Sequence, residues 1–320
     1  MKNIDLHCDT ILFCFKENRS LRTMNGHINL EKLKRGGCLA QCFALFIPTH
    51  DSAVEYLHRE YDPWDLYGQL LDCYRRCLAD ARDFLRQALS ADQVLENQKA
   101  GLLSSILTVE DCVEIDGDLR RFDQVYTDGV RMMTLTWNYE NCIGYPNSAD
   151  PKEHTARGLK PFGFDAVAKM NELGIIIDVS HLSEGGFYDV AAHSTKPFAA
   201  SHSCCRALRD HPRNLTDNQL RVLADAGGVV GINFYDQFLG DLGGDTSVED
   251  IVRHILHVRK VAGVDAIAFG SDFDGIDSRL EFGDYAGFPQ ILRALEKHFT
   301  EDEIDQICSG NFLRVFSAQR

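Results

Sequence analysis

The sequence predicts a single (β/α)8 barrel over residues 1–320, with extra helices at its C-terminal end. Eight short runs rich in β-branched residues alternate with helical segments, and parallel strands need such helical returns. Residues 175–179 and 229–232 are almost continuously apolar, as strands covered on both faces must be. A length of 320 residues is one that such barrels reach as a single unit. A doubly wound open sheet is the alternative, but no Gly-x-Gly-x-x-Gly follows the first strand, so its nucleotide-binding fingerprint is missing.

The first strand is the opening stretch Ile4-Asp5-Leu6-His7-Cys8-Asp9-Thr10. Alternate residues of a strand share a side, so His7 and Asp9 project together from its end. The segment 31–35 stops at Gly36-Gly37, and strand two follows over 38–47. Apolar residues at helical spacing between Trp64 and about Gln98 predict one or two long helices. Strand three, 102–109, closes on Glu110-Asp111. A short helix near 119–126 leads to strand four, 130–137, and to a loop rich in Asn, Gly, Pro and Asp that runs to about Gly158. Loops of that length inside a compact domain are commonly functional.

Pro161 opens a helix that stops at Gly174, and strand five, 175–179, ends at Ser180-His181. Ser183 caps the next helix, and strand six, 197–200, ends at Ser201-His202. Thr216 and Gln219 form a capping-box pattern for a helix to Ala226, before strand seven over 228–234. An acidic loop with Asp241, Gly243, Gly244 and Asp245 precedes a helix over 247–262. Strand eight, 266–270, ends at Ser271-Asp272, and two closing helices begin near Phe288.

Acidic residues outnumber basic ones 48 to 33, for a net charge of -15, so the surface repels polyanions. Nucleic acid and anionic membrane faces are therefore excluded as partners. No leader pattern and no run of about 18 apolar residues is found, which predicts a cytoplasmic protein. Its eleven cysteines lack a metal-finger spacing and read as buried or idle thiols, with the adjacent Cys204 and Cys205 open to oxidation.

The polar strand ends carry the chemistry. His7 and Asp9 close strand one, Glu110 strand three, His181 strand five, His202 strand six and Asp272 strand eight. In a barrel these ends share one mouth, where barrel enzymes place their active sites. Singly, each has an ordinary explanation: a solvated carboxylate, or a histidine satisfied by a backbone carbonyl. Six on one rim point to a metal centre, since imidazole and carboxylate are both zinc ligands. Three histidines and two carboxylates exceed the three protein ligands of a single catalytic zinc and leave Asp272 over, which suggests two zinc ions. A shared carboxylate holds such ions about 3.5–4 Å apart with a water between them, which ionises near neutral pH and attacks a polarised carbonyl.

The set Asp5-Leu6-His7-Cys8-Asp9, Val109-Glu110-Asp111, Gly158-Leu159-Lys160-Pro161-Phe162-Gly163, Ile177-Asp178-Val179-Ser180-His181, Ser201-His202-Ser203, Arg213-Asn214 and Gly270-Ser271-Asp272-Phe273-Asp274-Gly275 resembles the membrane (renal) dipeptidase family of zinc peptidases. The likeness extends through Asn233-Phe234-Tyr235 to the closing 310–316, so it covers almost the whole chain, and it is to a soluble, bacterial-type member. It implies that His7, Asp9 and bridging Glu110 hold one zinc, and Glu110, His181 and His202 the other. It further implies that Asp272 passes the proton from the attacking water to the leaving amine, and that Arg213 clamps the terminal carboxylate of a dipeptide. Arg suits a bidentate carboxylate grip, although by itself Arg213 reads as a solvated loop residue. Tolerance of a D-residue at the C-terminal position and a homodimer are also implied.

Two departures from the family pattern matter. Trp137 stands where better-known members have a substrate-binding histidine, and an indole N–H donates one hydrogen bond but cannot become cationic. Asn138, Asn141 and His154 are the nearby substitutes for oxyanion stabilisation, and Trp137 is either a core aromatic or a pocket wall. The chain also lacks a leader and a lipid-anchor signal, so membrane attachment is not carried over.

His254 and His257, one helical turn apart, read as a solvated helix face. Asp274 and Asp277 read as orienting the strand-eight loop, and Tyr61-Asp62-Pro63-Trp64 as a lid or subunit contact. Two other functions compete with the dipeptidase. A deaminase or cyclic amidohydrolase on the same barrel begins His-x-His and often bridges with a modified lysine, whereas this chain offers His7-x-Asp9 and Glu110. A binding protein that keeps zinc without turnover is the other.

Overall fold

The structure is a computed structural model that describes residues 1–240 and 245–320; Asp241, Gly243 and Gly244 of the predicted acidic loop lie outside them. Eight parallel strands close into a barrel in chain order: β1 (Asn3–Asp5), β2 (Cys38–Phe46), β3 (Leu103–Glu110), β4 (Val130–Thr134), β5 (Ile176–Asp178), β6 (Ala199–Ser203), β7 (Val229–Ile232) and β8 (Ile267–Phe269). The ring shuts through the pairing of β1 with β8, at Asp5 against Phe269. Register across one side places Phe46 beside Glu110, Glu110 beside Thr134 and Thr134 beside Asp178. The C-terminal strand ends therefore form one rim.

Two cores hold this rim in place. Between strands and helices lies an apolar layer that includes Leu45, Leu107, Ile177, Ile232 and Phe269. Inside the barrel, Ile4, Leu39, Ile106, Met132, Ile176 and Val229 pack with Phe312, Val315 and Phe316 of the last helix, Asn311–Ser317. Asn311 donates to the carbonyls of Val264 and Ile267 at the start of β8, so this helix covers the end opposite the mouth.

Local signals act as their chemistry requires. Thr216 and Gln219 form a reciprocal capping box on Asp217–Asp225, and Ser183 accepts from Gly186 N at the start of Glu184–His193. Gly174 ends Pro161–Leu173 at φ +79°, a conformation that costs glycine nothing.

Several elements differ from expectation. β1 stops at Asp5, short of the predicted stretch 4–10, and Thr10 opens an unpredicted helix to Glu17. The helical stretch 64–98 is two helices, Pro63–Asp80 and Ala91–Lys99, split by a strand, Leu85–Gln87, that pairs outside β3. Leu85 satisfies both periodicities, so spacing alone could not separate them. The loop after β4 holds a short helix, Pro151–Ala156, capped by Asp150. β6 runs through His202 instead of ending before it, and Asp245 lies in a two-residue strand with Thr246. The second closing helix, 301–317, carries a π-turn at Gln306–Gly310.

Two side-chain expectations are corrected. His254 is buried, not solvated: its Nδ1 accepts from Cys205 N at 3.1 Å and its Nε2 faces Leu239 O at 2.9 Å. His257 is paired with Asp217 at 2.7 Å. Cys204 and Cys205 are free but fully buried, which closes them to solvent oxidants. Tyr61-Asp62-Pro63-Trp64 is a helix start, with Asp62 accepting from Trp64 N and Asp65 N and Pro63 at the first position.

Candidate metal centre and substrate pocket

Glu110, the last residue of β3, sits at the middle of the mouth among three imidazoles, with the His7 and His202 rings 3.9 Å apart, centre to centre. Its Oε2 lies 3.4 Å from His7 Nε2, and its Oε1 lies 3.1 Å from His181 Nε2 and 3.4 Å from His202 Nε2. His7 Nε2 is also 3.4 Å from Asp9 Oδ2 and 3.8 Å from Asp272 Oδ1. The structure thus brings together all six residues that the strand ends suggested. His181 and Asp272 reach the centre through left-handed backbone, at φ +66° and +62°. Such conformations cost non-glycine residues on the order of 1–3 kcal/mol and persist where packing dictates them.

The histidines are held in defined tautomers. His181 Nδ1 lies 3.0 Å from Asn138 Oδ1, which can only accept, so the proton is on Nδ1. Ser201 Oγ donates to Asp178 Oδ2 at 2.5 Å and so accepts from His202 Nδ1 at 2.7 Å. Asp178 is itself fixed by Thr134 Oγ1 at 2.6 Å and by the amides of Ser180 and Ser201. Both Nε2 lone pairs then face each other across 3.0 Å. Burial, reinforced by the His7 and Arg213 charges, holds both imidazoles well below their ordinary pKa, so neither carries a second proton to bridge that gap.

A matching device supports Asp272. Asp5 accepts from Ser271 N at 2.7 Å and from Ser271 Oγ at 2.6 Å, one residue before Asp272, and from Gln41 Nε2 at 2.9 Å. Burial pushes Asp5 up to about 6 despite these bonds. Asn233 Nδ2 donates to Asp272 Oδ2 at 2.9 Å and leaves Oδ1 facing the centre. Burial raises Glu110 and Asp272. It also opposes protonation of His7, but Glu110 and Asp9 outweigh it and raise that imidazole well above its ordinary value.

These residues fit a metal. His7 Nε2 and Asp9 Oδ1 are buried with no hydrogen-bond partner, and the paired lone pairs of His181 and His202 repel unless a cation lies against them. The ligand atoms of His7, Glu110 and His202, and those of His7, Asp9 and Asp272, form two sets close enough to share an ion. Imidazole and carboxylate together suit zinc.

The pocket over this centre has a volume of about 490 Å³ and is lined by Asp9, Glu110, His181, Arg213 and Asp272 together with Phe13, Phe46, Tyr56, Trp137, Asn138, Tyr235 and Phe238. Arg213 is buried, not solvated: one NH2 group donates to His202 O at 3.1 Å, the guanidinium lies 5.3 Å from the Phe238 ring centre, and Nε has no partner. Its turn is pinned by Arg206, which donates to the flanking carbonyls of Pro212 and Asn214 and to Glu184 at 3.1 Å. Trp137 is a pocket wall, 6.1 Å from the His181 ring.

Two of the substitutes for the missing histidine are corrected. His154 is turned away toward Arg206, and Asn141 uses both ends of its amide on Asp111, Leu135 O, Ile143 N and Gly144 N. Asp274 does orient the strand-eight loop, accepting from Thr10 Oγ1 at 2.6 Å and His27 N at 2.5 Å. Asp277 lines the pocket. Sequence reading missed Phe46, Tyr56 and Arg206, since an aromatic or arginine carries no local signal of what it will face across a barrel.

A closed parallel barrel with this cluster at its C-terminal mouth defines a metal-dependent hydrolase. The whole chain, residues 1–320, matches the family model described as membrane dipeptidase (peptidase family M19), and the protein belongs to that family. It is 38% identical over 264 residues to an uncharacterized protein in the pqqA 5' region of Klebsiella pneumoniae, covering 79% of this chain and 96% of that one. It is 32% identical to an uncharacterized dipeptidase of Schizosaccharomyces pombe, over 92% of this chain and 72% of that one. Among solved structures it is similar to a metallopeptidase from Rhodobacter sphaeroides liganded with a phosphinate mimic of the dipeptide L-Ala-D-Ala, with a TM-score of 0.91 and 27% identity over 100% of this chain and 99% of that one. Among the described residues no helix is long and apolar enough to cross a membrane.

Proposed function

We propose that residues 1–320 form one dizinc dipeptidase domain that hydrolyses dipeptides with a free C-terminal carboxylate. One observation carries this reading: the Glu110 carboxylate sets Oε2 against His7 and Oε1 against His181 and His202. His7, Asp9 and Glu110 would hold one zinc, and Glu110, His181 and His202 the other. Zinc bound there polarises a carbonyl and acidifies water.

The chain's own groups do the rest. Arg213 receives the terminal carboxylate, because its Nε–H is buried and unpartnered beside the pocket. Asp272 takes a proton from the attacking water on Oδ1, the oxygen that Asn233 leaves free, and delivers it to the departing amine. Trp137 and Asn138 wall the pocket beside His181, and Asn138 also fixes that imidazole. The Rhodobacter relative's dipeptide mimic supports a dipeptide substrate, and its L-Ala-D-Ala stereochemistry supports acceptance of a C-terminal D-residue. A cytoplasmic homodimer is part of the same proposal.

Metal content per chain, measured beside turnover of a dipeptide panel, tests this. Two zinc ions and hydrolysis are expected. Asp272→Asn should keep the metal and lose turnover, whereas tight dipeptide binding without products in the unaltered protein would reduce it to a silent binder.

A further inference from the structure

The pocket has two unlike walls. In the closed barrel β2 and β6 stand four strands apart and so face each other across the mouth. Arg213 is attached to the β6 side through His202 O and Ser203 Oγ. Opposite it, Phe46 ends β2, with Tyr56 from the following helix 5.6 Å away and Trp137 4.9 Å away, ring centre to ring centre. Tyr56 and Trp137 themselves meet edge to face at 6.3 Å. The candidate metal ligands lie between the two walls.

This aromatic wall is open and apolar. Phe46, Tyr56 and Trp137 all line the pocket, and the charged Lys16 and Glu55, which line it too, are exposed. The Lys16 ammonium stands over the rings of Phe13 and Tyr56, at 5.4 and 5.8 Å, and so closes the outer edge of the wall. Trp137 has no hydrogen bond from its indole N–H to any described residue, and its ring is only partly covered.

A dipeptide gripped by its carboxylate at Arg213, with its peptide bond over the ligands, still has its α-amine and two side chains to place. Two extended residues span at most about 7 Å, so the side chain of the N-terminal residue falls on the far side, toward β2 and β4. We propose that Phe46, Tyr56 and Trp137 form the subsite for that side chain, and that the preferred substrates are dipeptides with an aromatic or large aliphatic N-terminal residue. The inference rests on the dipeptidase reading. An aromatic side chain there exchanges water for ring faces and edges, which a methyl group cannot cover and a carboxylate must desolvate to enter.

The test is kcat/KM of the zinc-loaded full chain on Phe-Ala, Leu-Ala, Ala-Ala, Asp-Ala and Ala-Phe. Phe-Ala and Leu-Ala should exceed Ala-Ala by at least about tenfold, Asp-Ala should fall below it, and Phe-Ala should exceed Ala-Phe. Trp137→Ala should bring the Phe-Ala to Ala-Ala ratio within about threefold; where that variant does not fold, Tyr56→Ala, at a partly buried position, should lower the same ratio. Hydrolysis of Ala-Ala as fast as Phe-Ala, or a ratio that survives the substitution, overturns the subsite while leaving the dipeptidase intact. Failure to cleave any of the five overturns both.

Discussion

His181 and His202 meet nitrogen to nitrogen, Nε2 to Nε2 at 3.0 Å, because each has its other nitrogen committed elsewhere, to Asn138 and to Ser201. Two lone pairs at that distance are tolerable only against a shared positive charge. The candidate metal centre is thus written as much in Asn138, Ser201 and Asp178 as in the imidazoles themselves.

Ser201→Ala removes the acceptor that orients His202 and leaves Asp178 short of a donor. Metal affinity is expected to fall roughly 10- to 100-fold, with Thr in place of Ser recovering most of it. Metal titration with a competing chelator reads this out, and an unchanged affinity would reduce Ser201 to packing.

Arg213→Ala should raise KM for free dipeptides by at least about 100-fold, a loss in the range of a buried charge-assisted pair, and should change KM for amidated dipeptides little. Equal effects on both series would remove Arg213 from the carboxylate role. Arg206→Ala, which frees the Arg213 turn, should move KM in the same direction but less.

Gly275→Ala should abolish turnover. A methyl group at this position would collide with the carboxylates of Asp9 and Asp272 and drive both from the centre. Retained activity would show that the loop after β8 yields. Circular dichroism separates a local effect from unfolding.

Glu114 is fully buried, and neither of its carboxylate oxygens has a hydrogen-bond partner. Burial raises its pKa well above the ordinary 4.5, so between 4.5 and the folded value the native state holds a proton that the unfolded chain has released. Stability then declines as pH rises across that window, by up to about 1.4 kcal/mol per pH unit. Glu114→Gln cannot ionise, so its Tm relative to the parent should climb as pH rises above about 4.5. A gap independent of pH would show that the carboxyl finds a partner when charged.

The barrel was legible in the chain because strand–helix alternation, caps and apolar runs are local. Thr216 with Gln219, Ser183 and Gly174 act within a few residues of themselves, so their sequence context suffices. The six polar strand ends were legible for a related reason, since closing a barrel sends every strand end to one rim. Short-range ambiguity hid Leu85–Gln87, where apolar residues fit either period.

What the sequence by itself determined is the ring of eight strands and the identity of the residues on its rim. Only the tertiary structure decided that Glu110 sits among three imidazoles, that His254 is buried against Leu239 and Cys205, that Arg213 is sunk beneath the pocket, and that Phe46, Tyr56 and Trp137 share one wall. The physical reason is distance along the chain. Each of these relations joins side chains from different strands or loops, and no periodicity within a strand encodes which way a side chain will turn once another strand lies beside it.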